Sequence, residues 1–193
     1  MSPSFTSDLR SPLREAGIAL IGERGLYGFS LADVAARSGR SRALVIHHYK
    51  SKEAFLDELV RILLAPPAAT GDPSSSPLDD ILVSLSIEYV GGTLDEPSGR
   101  ALLSILSTTH PDARHAEEIR RWWKVRVGGV RAMLQAGVAT GDFREGADTE
   151  MTAISIMSAV VGAKLAALTT DAKHRERLRA AIIGLVSRSL NRA

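Results

Sequence analysis

Apolar residues over the first 64 positions recur at three- and four-residue intervals, in runs that are short and sharply bounded. Residues 9–24 read as a helix stopped by Gly25, and 31–38 as one opened by Ser30 and stopped by Gly39. Residues 42–48 follow, opened by Ser41, and 52–64, opened by Ser51. Each serine can accept a backbone N–H at a helix start, and Ser30 has Asp33 three residues on, close to a capping box. Residues 66–77, PPAATGDPSSSP, break the pattern: proline with glycine and serine neither continues a helix nor buries much, so 65–77 is predicted to be a flexible loop. Longer helical patterns then span 78–91, 98–109, 113–138, 149–168 and 172–191. Alternating strand patterns, two-residue hairpin signals and fixed-period repeats are missing. The expected fold is all-α, with domains at 1–64 and 78–193.

The two helices of about eight residues joined through Gly39 form a helix-turn-helix, whose second member presents side chains to the major groove of DNA. With Ser41 as N-cap, Val45, His48 and Tyr49 fall on one side, facing Val34 and Ala35 of the preceding helix. Arg42, Ala43, Ile46 and His47 fall on the other. Helices this short are stable only when packed on neighbours.

Global composition adds little, since a net charge of +2, a pI near 9.1 and 45% apolar residues suit most globular proteins. The distribution of charge adds more. Lys+Arg minus Asp+Glu is 9 − 7 for residues 1–64 and 15 − 15 for the rest. Between Asp33 and Glu53 stand Arg37, Arg40, Arg42, Lys50 and Lys52 with no carboxylate, a local balance of +5. A solvated helix face normally mixes signs, so this stretch suits a polyanion.

The run FSLADVAARSGRSRALVIHHYKSKEAFLDELV resembles the DNA-binding domain of TetR-type transcriptional regulators. The capped helix, Gly turn, short recognition helix, His-aromatic pair and Lys-Ser-Lys-Glu entry into a fourth helix carry the likeness over about the first 64 residues. GLYGFS is similar to the family's approach to the second helix, and GDFREGADTEMTAISIMSAVVGAKLAAL to its C-terminal stretch. The resemblance implies a homodimer in which an N-terminal helix-turn-helix domain joins, through a fourth helix, a helical ligand-binding and dimerisation domain. Ser30, Arg40, Ser41, Arg42, Ala43, Leu44, Ile46, His47, Lys50 and Lys52 then become the expected contacts to double-stranded DNA. Arg42 suits a guanine edge. Lys52 and the N–H groups near Ser51 suit a phosphate, with Lys50, His47 and Ser30 as further backbone contacts. The sequence departs from the family at Arg40, where a small apolar residue is usual, at Leu44, usually Thr, and at Ile46, very often Tyr. Leu44 and Ile46 either touch thymine methyl groups or stand by as spectators.

Candidate effector contacts are Tyr89, Ser104, Thr108, His110, Trp122, Trp123 and Gln135. Trp123 shares an apolar stripe with Val127, Val130 and Leu134, and Trp122 is turned toward its edge. Core packing is the plainer reading of both tryptophans, and the wall of an apolar effector pocket the alternative. Gly91–Gly92 and Gly128–Gly129 mark bends or close helix contacts. The last two helices, 149–191, are apolar enough that pairing them with a second copy would make a four-helix dimer interface, against the alternative of a monomeric core. With no cysteine, disulfides and thiolate metal sites are excluded, and the composition fits a reducing cytoplasm. No metal spacing, cofactor loop, nucleophile–base set or membrane-length apolar segment is read. The expected function is a ligand-responsive transcriptional regulator, by family default a repressor. The competing reading keeps the fold as a ligand-binding or scaffold protein with a decayed DNA reader.

Overall fold

The computed structural model describes residues 5–65, 97–108, 114–144, 146, 148–167 and 171–190. They carry α1 (Phe5–Arg24), α2 (Leu31–Ser38), α3 (Arg42–Tyr49), α4 (Lys52–Leu63), α5 (Pro97–Thr108), α6 (Ala116–Thr140), α7 (Thr149–Ala167) and α8 (Ala172–Leu190), with no strand among them. The fold is all-α. The expected loop, apart from Ala65, and the helix at 78–91 lie outside the described residues. α1 begins at Phe5, ahead of the apolar pattern, and takes Pro12 into its body. Elsewhere the caps set the boundaries. Ser30, Ser41 and Ser51 are the N-caps of α2, α3 and α4. Asp148 accepts the Met151 N–H at 2.9 Å to open α7, and Asp171 accepts that of His174 at 2.7 Å in the first turn of α8.

Contacts divide the chain into two units, one comprising residues 5–65, 97–108 and 114–119 and the other the described residues from 120 onward. In the first unit α5 and the first residues of α6 pack with the N-terminal helices. Gly22 of α1 lies so close to α5 that a Cβ there would stand 3.1 Å from both Arg100 Cβ and the Pro97 carbonyl oxygen. Ala101 and Ile105 enter the same buried cluster as Leu13, Leu20, Ile21, Val34, Val45, Phe55 and Leu59. On the other side of α1, a Cβ on Gly17 would meet Phe55 Cζ at 2.5 Å. Polar links fasten the rim. Arg14 Nε donates to Glu58 at 2.6 Å, joining α1 to α4. Asp57 of α4 accepts from Arg114 at 2.5 Å, with the buried His115 Nε2 3.7 Å away.

In the second unit Val130 and Leu134 of α6, Phe143 of the following turn, Ala153, Ile156, Met157 and Val160 of α7 and Ile182 of α8 form one buried cluster. Gly137 fits beneath the Phe143 ring, where no side chain has room. Gly128 and Gly129 are the opposite case: a Cβ at either would meet nothing within 4 Å, so neither marks a close helix contact among the described residues. On α7 the apolar character continues around the helix, but Met151, Ser155, Ser158, Gly162 and Leu165, spaced by four and three, are exposed. No helix among the described residues is long and apolar enough to cross a membrane.

Candidate nucleic-acid interface

α3 is held by its inner side. Val45 is fully buried, and Tyr49 is buried with its ring edge-on to Phe55, centroids 4.6 Å apart. They pack in the cluster that holds Val34 and Ala35, the partners expected from helical spacing. His48 is half-buried beside them. The turn before α3 is set by Gly39, whose φ of 66° favours a residue without Cβ, and by the Arg40 N–H bonded to the Ala35 carbonyl at 3.0 Å. Ser41 Oγ then accepts the Leu44 N–H at 3.2 Å.

The outer side of α3 is open to solvent. Arg40, Ser41, Arg42, Ala43, Ile46, His47 and Lys50 are exposed, and Leu44 is half-buried. Ile46 is 42% exposed, an apolar side chain standing among cations. Among the described residues Arg40, Arg42 and Lys50 have no carboxylate partner. Arg37 is different: both its terminal nitrogens donate to Glu23 of α1 at 2.7 Å. That bond in turn holds the Glu23 carboxyl below the usual carboxylate range. The partner lies 14 residues away, so the count of +5 along the sequence overstates the unneutralised charge by one.

Ser30 and Lys52 flank α3 and are already engaged. The Ser30 hydroxyl donates to Asp33 Oδ2 at 2.5 Å and accepts the Asp33 N–H at 3.3 Å, completing the capping box. That hydroxyl, the Ser30 backbone N–H and then Arg24 hold the Asp33 carboxyl below its ordinary value. Lys52 Nζ donates to the Tyr27 carbonyl at 2.9 Å and lies 5.0 Å from the centroid of the Phe29 ring. One of its three donors therefore ties the α1–α2 turn to the start of α4. Tyr27, 61% exposed beside this link, was not among the expected contacts; GLYGFS marks the turn but not which side chain leaves it.

Lys50 connects α3 to α4 in a conformation rare for a side-chain-bearing residue. Its φ is 54° and ψ −38°, the Ser51 N–H bonds across it to the Tyr49 carbonyl at 2.5 Å, and its own N–H reaches the Ile46 carbonyl at 2.8 Å. This is a γ-turn of the strained, positive-φ kind. Lys50 is the sole non-glycine residue with positive φ among those described.

The candidate effector residues fall in both units. Ser104 and Thr108 belong to the first unit, and Thr108 is exposed with its hydroxyl on the Ser104 carbonyl at 2.5 Å. Trp122, Trp123 and Gln135 belong to the second, with Gln135 exposed. Tyr89 and His110 lie outside the described residues. Trp123 packs on the second cluster with Val127, as its spacing predicts, but stays half-buried; Trp122, placed at the edge of the stripe, is buried.

Residues 13–59 match the family described as bacterial regulatory proteins, tetR family. Over 161 residues the chain is 24% identical to the HTH-type transcriptional repressor KstR2 of Mycolicibacterium smegmatis, a match covering 78% of this chain and 75% of that protein. TylP, a TetR regulator from Streptomyces fradiae, superposes with a TM-score of 0.76 at 17% identity, covering 98% of this chain and 89% of that one. SmeT, repressor of the Stenotrophomonas maltophilia multidrug efflux pump SmeDEF, superposes in its triclosan complex with a TM-score of 0.76 at 19% identity, covering 96% and 92%. At these identities the two structures share the fold with this chain.

Proposed function

We propose that the chain, whose residues 13–59 match the tetR family of bacterial regulatory proteins, is a TetR-type regulator: a cytoplasmic, ligand-responsive repressor that binds a pseudo-palindromic operator as a homodimer and leaves it when a small molecule binds. The observation that carries the reading is the outer side of α3: Arg40, Arg42, Ile46, His47 and Lys50 exposed around a helix that Val45 and Tyr49 fix to the core. Arg42 reads a guanine edge, Ile46 covers a thymine methyl, and Lys50, His47 and Arg40 meet phosphates. The repressor KstR2 and the triclosan-bound SmeT support the regulatory part by likeness alone. Two recognition helices enter successive major grooves when about 34 to 36 Å apart, which calls for two-fold symmetry. The exposed line Met151, Ser155, Ser158, Gly162 and Leu165 on α7 supports a dimer through residues 149–191, since pairing it with a second copy covers apolar surface that one chain leaves in water.

The test is to select duplexes bound by the protein from a random pool and to titrate the winner with salt. The expected winner holds two inverted half-sites. With about three phosphate contacts per subunit at a slope near −0.9 each, the log–log slope is about −5. Failure to retain any duplex at ~50 mM salt, where steering by exposed charge is strong, would favour the decayed reader instead.

A further inference from the structure

We propose that the outer face of α3 reads a pyrimidine 5-methyl group stacked beside a guanine, so that operator binding responds to methylation of cytosine. The inference rests on the DNA-reading proposal above and names the groups recognised and a regulation of the same surface.

Ile46 is the side chain that calls for a partner. It is 42% exposed, in the company of Arg40, Arg42, His47 and Lys50, which are exposed with it. An isoleucine there gains nothing from phosphates. The apolar group that a base pair presents in the major groove is the methyl on C5 of thymine. 5-Methylcytosine carries the same group on the same atom, whereas cytosine and uracil carry hydrogen. Contact with an apolar side chain therefore does not separate thymine from 5-methylcytosine; it separates both from their unmethylated forms, by the apolar surface removed from water.

The neighbouring base follows from Arg42. Four residues apart, Arg42 and Ile46 lie on one side of α3, with their backbone positions about 6 Å apart along the axis. The Arg42 guanidinium, exposed at the first position of the helix, suits guanine O6 and N7. Lying in the plane of that guanine, it turns a flat side toward the next base of the strand, about 3.4 Å away. A methyl on the pyrimidine 5′ to the guanine is then covered by the guanidinium from one side and by Ile46 from the other. Two neighbours of Ile46 permit this approach. Ala43, three residues earlier and also exposed, is small enough to let α3 settle close to the bases. Val45 and Tyr49 anchor the helix in the core, so Ile46 meets the groove from a fixed position. Leu44 is half-buried and offers the bases less apolar surface.

The duplex selected from the random pool supplies the test, and each of its half-sites is expected to hold a thymine 5′ to a guanine. The full chain is titrated with versions of that duplex carrying thymine, deoxyuridine, 5-methylcytosine or cytosine at this position, the last two paired with guanine. Deoxyuridine should bind about fourfold more weakly than thymine for each half-site changed, and cytosine more weakly than 5-methylcytosine by about the same factor. Ile46→Ala, at an exposed position outside the buried cluster, should shrink both ratios to below about twofold while the preference for guanine persists. Selected half-sites without a pyrimidine–guanine step, thymine and deoxyuridine bound equally, or ratios unchanged in Ile46→Ala would each overturn the proposal. A protein that holds the selected duplex but ignores the methyl groups refutes this reading alone. One that holds no duplex at ~50 mM salt refutes the DNA reader and this reading with it.

Discussion

Arg42 and Lys50 lie within one short stretch of chain and are expected to behave differently when changed. Arg42 is exposed at the first position of α3, so Arg42→Ala should relax preference at one base pair per half-site at a cost of about 1–3 kcal/mol, while losing little affinity for random duplexes. Competition between selected and random DNA measures this, and equal losses on both would remove Arg42 from base reading. Lys50 occupies a γ-turn that costs a side-chain-bearing residue about 1–3 kcal/mol. Lys50→Gly should therefore raise stability in urea by about 0.5–2 kcal/mol, even after the added freedom of the unfolded chain. The same change should flatten the dimer's salt slope by about two. Gain in one assay with loss in the other would place strain and phosphate contact at the same residue. Asp33 gives a pH dependence: its folded value is depressed by Ser30 and Arg24, so the cap's contribution is present above the unfolded value and fades as pH falls through the folded one. Unfolding curves of the native protein and Asp33→Asn should converge in acid, below the ordinary aspartate range, and stay parallel near neutrality. At this scale the sequence told inner from outer residues on α3, because helical spacing alone decides it. It could not tell that Arg37 is neutralised by Glu23 or that Lys52 is tied to Tyr27, since both links join residues distant in the chain.

Helices were legible where a serine, an aspartate or a glycine marks their ends, as with α2, α3 and α4, and less so where nothing local does. α1 starts at Phe5, ahead of its apolar pattern. Glycines inside helices were ambiguous in sequence, and the structure separates them by what surrounds each. Gly17→Ala should destabilise by about 1–3 kcal/mol, because the added methyl collides with the fully buried Phe55 ring and overpacking exceeds the gain in helix propensity. Gly128→Ala and Gly129→Ala meet open space and should each stabilise by up to about 1 kcal/mol. Chemical denaturation of the three variants checks the opposite signs; destabilisation by all three would mean that the glycines of α6 serve a bend.

For the whole molecule, the sequence pointed to two helical units, but it could not place α5, whose pattern resembles that of any amphipathic helix. The proposed homodimer is tested best where one chain has least to lose. Leu165 is 59% exposed, so Leu165→Glu should leave the melting of the monomer's fold intact while shifting sedimentation from about twice 20.7 kDa to a single chain. A dimeric Leu165→Glu protein would move the interface off this line of α7. The seat of α5 on α1 has a further consequence, during synthesis. Gly22 leaves no room for a side chain beside Arg100, yet a ribosome making about 5–20 residues per second adds the second several seconds after the first. Until then the cluster that holds Leu20 and Ile21 lacks Ala101 and Ile105. The nascent helix-turn-helix therefore waits, with part of its apolar surface in water, for a segment encoded much later. A fragment ending at residue 65 freezes that interval, and it should bind chaperones and melt well below the full chain.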